Sequence, residues 1–222
     1  MTMAIRLIDA SYFSKKEHSP LLDHLQADFT AGKTHLIFGD SAFERSALSA
    51  LLAGREPLTS WLLLYEGDMR FKADGQTLQA DEIGTVFQTY NYIPDFSAVD
   101  NLHYHLQMIG RSWRKSACLS YLEEHGIDRN EARIPLKKAE NFIQKKYCLA
   151  KSVVTKPAIL LLDGLLNGLP LDRQEQVMHY LNTLAHTQNT CVIILEGESV
   201  SGKYVDEVWG ISRGRLSFIK QK

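Results

Sequence analysis

Short apolar runs alternate with longer amphipathic segments along most of the 222-residue chain, and this alternation constrains the fold more than any other feature. His35–Phe38 has the pattern of a buried strand, and a helical pattern that ends near Gly54 follows it after a short turn. A second such pair is Ala158–Leu162 followed by Leu171–His186. Strands that alternate with helices in this way predict an α/β fold with a mostly parallel core sheet.

An antiparallel β part and an inserted helical segment complete the predicted plan. Val99–Val154 has helical patterning, broken near His125-Gly126 and Ile134-Pro135, and it interrupts the alternation. The further predicted strands are Ile5–Ile8, Leu22–Phe29, Trp61–Tyr65, Gly84–Phe87, Cys191–Leu195 and a hairpin around Arg213-Gly214. We therefore expect the 222 residues to form one domain. Its helical lobe covers 99–154, and its α/β lobe covers 1–98 and 155–222.

Charge, cysteine content and hydropathy disfavour several functional classes. Lys and Arg number 25 and Asp and Glu number 26, so the formal net charge is −1, which argues against a general nucleic-acid binder. The three cysteines lie far apart without a Cys-x-x-Cys pair, which favours reduced thiols in an intracellular protein. No apolar run reaches the ~18 residues of a bilayer-spanning helix. The first residues have no signal-peptide pattern.

Two motifs stand in an order and spacing that resemble those of one known family. Gly84-Thr85-Val86-Phe87-Gln88 is similar to the Q-loop, and Lys156–Asp163 to the Walker B strand, of an ATP-binding cassette (ABC) ATPase domain. The resemblance extends from Ile5 to Ile219. Ile93–Leu102 is most similar to the small stand-alone cassettes of lipoprotein-release, lipid-transport and cell-division complexes. The resemblance implies a P-loop NTPase fold of the ABC type with a RecA-like α/β lobe, an ATPase activity that uses Mg²⁺, and a membrane permease as partner.

The phosphate loop departs from the family pattern at three positions. The family sequence Gly-x-x-Gly-x-Gly-Lys-Ser/Thr aligns with residues 39–46, where the first glycine and the final serine remain. Ala42 and Glu44 replace glycines, whose backbone freedom lets several N–H groups point at the phosphates. Arg45 replaces the lysine, and its planar guanidinium is not equivalent to an ammonium group. The nucleotide-binding positions implied by the family are Gly39, Ser41, Arg45, Ser46, Gln88 and Asp163, of which Ser46, Gln88 and Asp163 would hold Mg²⁺ if ATP binds.

Two carboxylates, Glu44 and Asp163, bear on whether the phosphate loop binds nucleotide. The Glu44 carboxylate is expected where phosphates would sit, and like charges ~4 Å apart repel by roughly 1 kcal/mol in water. Asp163 is either a Mg²⁺ ligand or the partner of Arg45 in an ion pair that would fill the phosphate position. Glu44 therefore opposes nucleotide binding, whereas Arg45 and Ser46 alone would support it.

The catalytic and signature positions of the family are also altered. Its general-base glutamate corresponds to Gly164 and its switch histidine to Gly197. Its Leu-Ser-Gly-Gly-Gln signature caps the γ-phosphate on the opposite subunit. The signature aligns with Ala139-Glu140-Asn141-Phe142-Ile143, which places a carboxylate there. The D-loop becomes Asn167-Gly168-Leu169-Pro170. Because both halves of the composite site are altered, the pattern predicts a cassette that does not hydrolyse ATP.

The segment after Gln88 is a candidate surface for the membrane partner. In the family this region lines the groove that receives a coupling helix of the permease. Two tyrosines beside an aliphatic residue and a proline suit such a groove, although ordinary packing of the helical lobe is the alternative. We favour docking, through Tyr90, Tyr92, Ile93 and Pro94.

Three further features are interpreted as structural or accidental. Gly197–Lys203 matches Gly-x-x-x-x-Gly-Lys, but a tyrosine follows it and too few residues remain to build a nucleotide-binding domain, so we favour chance. His103 and His105 lie two residues apart in a helical pattern and point to different faces, which favours surface positions over a metal pair. The lysine pairs Lys137-Lys138 and Lys145-Lys146 are expected to be solvated rather than phosphate ligands.

The leading hypothesis is a catalytically degenerate ABC cassette subunit, a pseudo-ATPase that docks on a membrane permease as a scaffold or regulatory subunit. It would form a homodimer or pair with a catalytic cassette at the cytoplasmic face of the membrane. No cofactor is expected, although ATP and Mg²⁺ remain open as ligands, and nucleic acid is not expected as a partner. The alternative is an ATP-binding and ATP-hydrolysing transporter subunit with an altered phosphate loop. A third hypothesis is an interaction module without a membrane partner.

Overall fold

The computed structural model describes residues 3–13, 20–54, 63–65, 83–87, 91–197, 200 and 202–221. The chain divides into two compact units, one formed by Met1–Gln88 with Thr155–Lys222 and the other by Thr89–Val154. We call them the α/β unit and the helical unit. The helical unit thus begins before the predicted residue 99, because the segment ahead of that residue is hydrogen-bonded to Asn101 inside the same unit.

The strands of the α/β unit form a mostly parallel sheet and a smaller antiparallel one. In chain order they are β1 (Met3–Phe13), β2 (Pro20–Thr30), β3 (Thr34–Phe38), β4 (Leu63–Tyr65), β5 (Ile83–Val86), β6 (Ile159–Asp163), β7 (Cys191–Glu196), β8 (Glu207–Ser212) and β9 (Arg215–Gln221). The larger sheet has the order β5-β6-β7-β3-β8-β9, in which only the β8–β9 pair is antiparallel. The smaller sheet has the order β2-β1-β4 and is antiparallel. The predicted combination of a parallel core and an antiparallel part is confirmed.

The helices follow the predicted alternation. They are α1 (Ala42–Leu52), α2 (Ala98–Met108), α3 (Lys115–Glu124), α4 (Asn141–Val153) and α5 (Leu171–Gln188), with short 3-10 turns at Glu131–Arg133, Leu136–Lys138 and Gly202–Tyr204. The predicted breaks near His125-Gly126 and Ile134-Pro135 fall between helices, as expected. In the part of the chain that the structure describes, no helix is both long enough and apolar enough to cross a bilayer.

The core of the α/β unit is built on the central strands of the larger sheet. Every residue of β6 and β7 is buried, as expected for central strands of a parallel sheet that is covered on both faces. Leu48 and Leu52 of α1 are fully buried in the same core as Ile193 and Leu195 of β7. The carboxyl ends of β3, β6 and β7 therefore meet at one edge of the sheet, where open α/β folds bind their ligands. The three cysteines are free and buried.

Candidate functional site

The phosphate-loop segment joins β3 to α1 at this carboxyl edge. Gly39 follows β3, and its amide donates to the carbonyl oxygen of Glu196 (3.3 Å). A Cβ at Gly39 would lie 2.3 Å from Cγ2 and 2.8 Å from the backbone carbonyl oxygen of Ile211. Close packing against β8 is therefore enough to explain the glycine at this position. Ser41 caps α1, because its Oγ accepts from the Glu44 amide at 3.2 Å. The retained glycine is therefore not by itself a sign of phosphate binding.

The Arg45 side chain lies between the ends of β3 and β7. It is 6% exposed, and its Nη1 donates to the carbonyl oxygen of Gly39. The guanidinium faces the backbone of Gly197, where a Cβ would lie 2.8 Å from Nη2 and 2.9 Å from Cζ. Its Nε has no hydrogen-bond partner among the described residues. The alternative that Arg45 pairs with Asp163 is wrong: both residues are described and no ion pair joins them, because the guanidinium is directed at Gly39 instead.

The Glu44 carboxylate is hydrogen-bonded to a turn that is remote in the sequence. Its Oε1 accepts a hydrogen bond of 2.6 Å from the amide of Gly214, which lies in the turn between β8 and β9. Both residues are buried, so the carboxylate supplies the hydrogen-bond acceptor that this buried amide needs. The carboxylate expected at the phosphate position is thus engaged by the Gly214 amide. The sequence contains no sign of this contact, since the two residues are remote in the chain.

Ser46 and Asp163 remain adjacent, as the family pattern implies. The Ser46 Oγ donates a long hydrogen bond of 3.4 Å to Oδ2 of Asp163, which is 3% exposed. A hydroxyl and a carboxylate are oxygen ligands of the kind that Mg²⁺ prefers. Gln88, the third expected ligand, lies outside the described residues. Among the described residues no group of three His, Cys, Asp or Glu side chains could hold a metal ion, so His103 and His105 belong to no such group.

The two glycines at the lost catalytic positions have different structural constraints. Gly164 follows β6 with φ 67° and donates its amide to the carbonyl oxygen of Leu195 (3.0 Å). Most other residues would be strained by roughly 1–2 kcal/mol in this left-handed conformation. Gly197 follows β7 and is not among the residues with positive φ, so its constraint is the guanidinium packed against it. Neither position carries a side chain that could orient a water molecule.

Glu196 is a buried acid that sequence reasoning missed. It ends β7, is 1% exposed, and its Oε1 accepts from the Leu166 amide at 2.8 Å. This hydrogen bond holds the segment that leads into Asn167-Gly168-Leu169-Pro170 against the end of the sheet. The only sequence signal was an acidic residue at the end of an apolar run.

The signature-aligned segment forms the start of α4 in the helical unit. Glu140 is the N-cap residue and Asn141 is the first residue of the helix, and both are exposed. The Glu140 side chain makes no capping hydrogen bond to this helix. Gln144 links this segment to Tyr92. Its Nε2 donates to the carbonyl oxygen of Ala139 (2.9 Å), and its Oε1 accepts from the Tyr92 hydroxyl (2.8 Å). The remaining members are Phe142, which is half-buried, and Ile143, which is buried.

The described part of the predicted docking segment is hydrogen-bonded within the helical unit. Burial raises the pKa of the Tyr92 phenol, whose ring packs edge-to-face on a buried tyrosine of α4. Asn101, which is 4% exposed, accepts from the Ile93 amide (2.8 Å) and donates to the Ile93 carbonyl oxygen (2.9 Å). Sequence reasoning gave Asn101 no role. Ile93 is half-buried and Pro94 is exposed. Tyr90 lies outside the described residues.

The lysine pairs differ in their surroundings. Lys145 is 3% exposed, so the expectation that it is solvated is wrong, because its position falls on the buried face of α4. Lys146 donates to the carbonyl oxygen of Gly126 (2.6 Å), and Lys137 forms an ion pair with Asp95.

Comparison with known proteins finds relatives over most of the chain. The family model described as "ABC transporter" matches residues 22–167. YclH of Bacillus subtilis (strain 168), an uncharacterized ABC transporter ATP-binding protein, is 23% identical over 208 residues, which cover 93% of this chain and 92% of that protein. LolD of Syntrophotalea carbinolica, the lipoprotein-releasing system ATP-binding protein, is 25% identical over 214 residues, 93% of both chains.

Solved structures of low sequence identity share the fold. The dimeric structure of MJ0796, a bacterial ABC transporter cassette, matches with a TM-score of 0.84 and 17% identity, over 98% of this chain and 100% of that one. A structure of MJ0796 in a post-hydrolysis state bound to ADP and Pi matches with a TM-score of 0.82 and 16% identity over the same shares. This likeness confirms the predicted P-loop NTPase fold of the ABC type.

Proposed function

Because the chain belongs to the ABC transporter family, we propose that it is a cassette subunit of a membrane complex that no longer hydrolyses ATP. It docks on integral permease subunits at the cytoplasmic face and acts there as a scaffold or regulatory subunit. It pairs with a second copy of itself or with a catalytic cassette. The similarity to LolD, an ATP-binding protein of lipoprotein-releasing systems, supports an assembly of this kind.

The observation that carries the proposal is the internal bonding of the phosphate loop. In a nucleotide-binding loop the backbone amides and the basic side chain point at the phosphates. Here the Glu44 amide is capped by Ser41, and the Arg45 guanidinium is held between the Gly39 carbonyl and the Gly197 backbone. A nucleotide would have to displace the guanidinium and break the cap. The residues present do not fit ATP, and we expect neither ATP nor Mg²⁺ as a resident cofactor.

Two further positions support the loss of hydrolysis. Gly164 offers no general base, and its positive φ means that a carboxylate side chain could not be restored there without strain. Glu140 presents a carboxylate at the N-terminus of α4. A phosphate approaching that helix end from a partner subunit would meet a like charge instead of free N–H groups.

Docking is assigned to the exposed aromatic side chains beside the predicted segment. Phe96 and Tyr104 are 41% and 46% exposed, and their rings pack edge-to-face with centroids 6.4 Å apart. Met108 lies one helical turn beyond Tyr104 and is 69% exposed. Together with Ile93 and Pro94 they give the helical unit an apolar, aromatic surface of the type that anchors interfaces.

A serine substitution tests the loss of hydrolysis in the assembled complex. Ser46→Ala removes the exposed hydroxyl that a bound Mg²⁺ would need. Steady-state phosphate release by the purified complex is expected to be unchanged, as it is for the control Ser116→Ala, an exposed serine of α3. A loss of about tenfold or more in Ser46→Ala alone would overturn the proposal.

Two aromatic substitutions test docking. Phe96→Asp and Tyr104→Asp are expected to reduce the amount of permease that co-purifies with the tagged chain from detergent extracts. Phe218→Asp is the matched control, since Phe218 is 52% exposed in the α/β unit. Equal recovery of permease with all three variants would contradict this assignment.

A second function, ATP binding and hydrolysis by an altered site, is favoured by the adjacency of the Ser46 hydroxyl and the Asp163 carboxylate. This function requires that nucleotide displaces Arg45. It predicts the loss of phosphate release in Ser46→Ala that the first proposal excludes.

A further inference from the structure

We propose that Arg45 and Gly197 form an interlock in which the Arg45 guanidinium is the permanent occupant of the phosphate loop and takes the place of a ligand. The inference rests on the proposed loss of nucleotide binding and adds the residue that makes the loop stable without nucleotide. It also links two substitutions that are far apart in the sequence.

The first half of the interlock is the position of the guanidinium. Arg45 lies in the first turns of α1, where the helix dipole disfavours a cation, yet the side chain is turned inward and buried. Its Nη1 donates to the carbonyl oxygen of Gly39, the first residue after β3. The guanidinium thus bridges the end of β3 to the start of α1 from inside the loop, in the space that a phosphate would need.

The second half is the bare backbone at Gly197. The built Cβ at this position would lie 2.8 Å from Nη2 and 2.9 Å from both Cζ and Nη1 of Arg45, closer than real Cβ atoms approach other heavy atoms. A side chain at 197 therefore requires the end of the Arg45 side chain to shift. Since Gly197 does not have a positive φ, the backbone itself would accept alanine. The three heavy atoms nearest to such a Cβ all belong to the Arg45 guanidinium.

The interlock predicts that the loop is equally ordered with and without nucleotide. The cap from Ser41 and the hydrogen bond from Gly214 to Glu44 hold the same turn from two other sides. With all three contacts made inside the chain, the conformation of the loop does not depend on ATP. A partner that contacts this edge would meet one fixed surface.

A double-mutant cycle at the two positions tests the interlock. Thermal melting is measured without nucleotide on the full chain as wild type, Gly197→Ala, Arg45→Ala and the double variant. We expect Gly197→Ala to lower Tm by about 2–8 °C in the presence of Arg45 and by less than about 1 °C in the Arg45→Ala background. If Arg45→Ala does not fold, Arg45→Met provides the second background. Equal Tm shifts in the two backgrounds would overturn the proposal.

Chemical rescue provides an independent readout. Guanidinium chloride at low millimolar concentration is expected to raise the Tm of Arg45→Ala and to leave the wild type unchanged, with sodium chloride at equal concentration as control. No rescue, or equal rescue of both proteins, would count against the guanidinium as occupant. Phosphate release by the wild type is measured separately. Hydrolysis would refute the proposed function, whereas an additive cycle without hydrolysis would refute only the interlock.

Discussion

The hydrogen bond between Glu44 and the turn at Gly214 gives a quantitative test of the structure of the loop. Glu44→Ala removes the only described acceptor of the buried Gly214 amide, at 2.6 Å in the native protein. A buried N–H group left without a partner costs about 1–3 kcal/mol. In a chain of this size 1 kcal/mol corresponds to a Tm change of about 2–4 °C. We therefore expect Glu44→Ala to lower Tm by about 4–8 °C, taking a cost of ~2 kcal/mol.

Two companion variants make this result specific. Asp40→Ala removes an exposed carboxylate from the same loop and is expected to change stability by less than about 0.5 kcal/mol. Glu44→Gln keeps an oxygen acceptor and should fall between the wild type and Glu44→Ala. If instead Glu44→Ala melts at the temperature of the wild type, or Asp40→Ala loses as much, the carboxylate is not bound to the turn and our reasoning about the loop is refuted.

Three further predictions concern other described residues. Gly164→Glu should lower stability by roughly 1–2 kcal/mol in urea unfolding and produce no phosphate release, because φ 67° strains the new side chain; measurable ATPase activity would contradict this. Hydrogen bonds from His35 and Lys33 lower the pKa of Glu207 to about 2, so stability is fully present above about pH 4.5 and falls by up to ~3 kcal/mol as the pH drops toward 2. Glu207→Gln should reduce the loss of unfolding free energy at acid pH. The same acid dependence in the variant as in the wild type would contradict the role of Glu207. Asn101→Ala should speed amide exchange at the start of the helical unit and cost about 2 kcal/mol or more, since four hydrogen bonds are lost; unchanged protection would refute the role of this residue.

The strands and helices that line the site were predictable because burial determines their sequence pattern. The apolar runs at 158–162 and 191–195 correspond to β6 and β7 within one residue at each end, since central parallel strands are buried on both faces. Prediction was poorer for β1, which extends from Met3 to Phe13 rather than over Ile5–Ile8. Its register with β2 shifts repeatedly and Asp9 has φ 54°, and such irregular strands lack a regular alternation.

The predictions about the site failed where contacts join distant parts of the chain. The motif alignment places altered residues directly after the apolar runs that form β3, β6 and β7. It did not reveal the contacts of Arg45 and Glu44, because Gly197 and Gly214 approach them only through the tertiary arrangement of β7, β8 and β9. Lys145 was misjudged for a related reason: a single charged residue on an otherwise apolar helix face is buried along with its neighbours.

Nucleotide binding by the purified chain separates a pseudo-ATPase from a working ATPase subunit. Titration calorimetry with MgATP, on the chain alone and then with its co-purifying partners, measures this. For the chain alone we predict no binding heat and no change in melting temperature. For the complex we predict no MgATP-binding site on this chain. A ligand present at ~100 times its Kd stabilises a protein by roughly 2.7 kcal/mol, or about 5–10 °C here. A saturable binding isotherm for the wild type accompanied by such a melting shift would contradict the proposed loss of nucleotide binding.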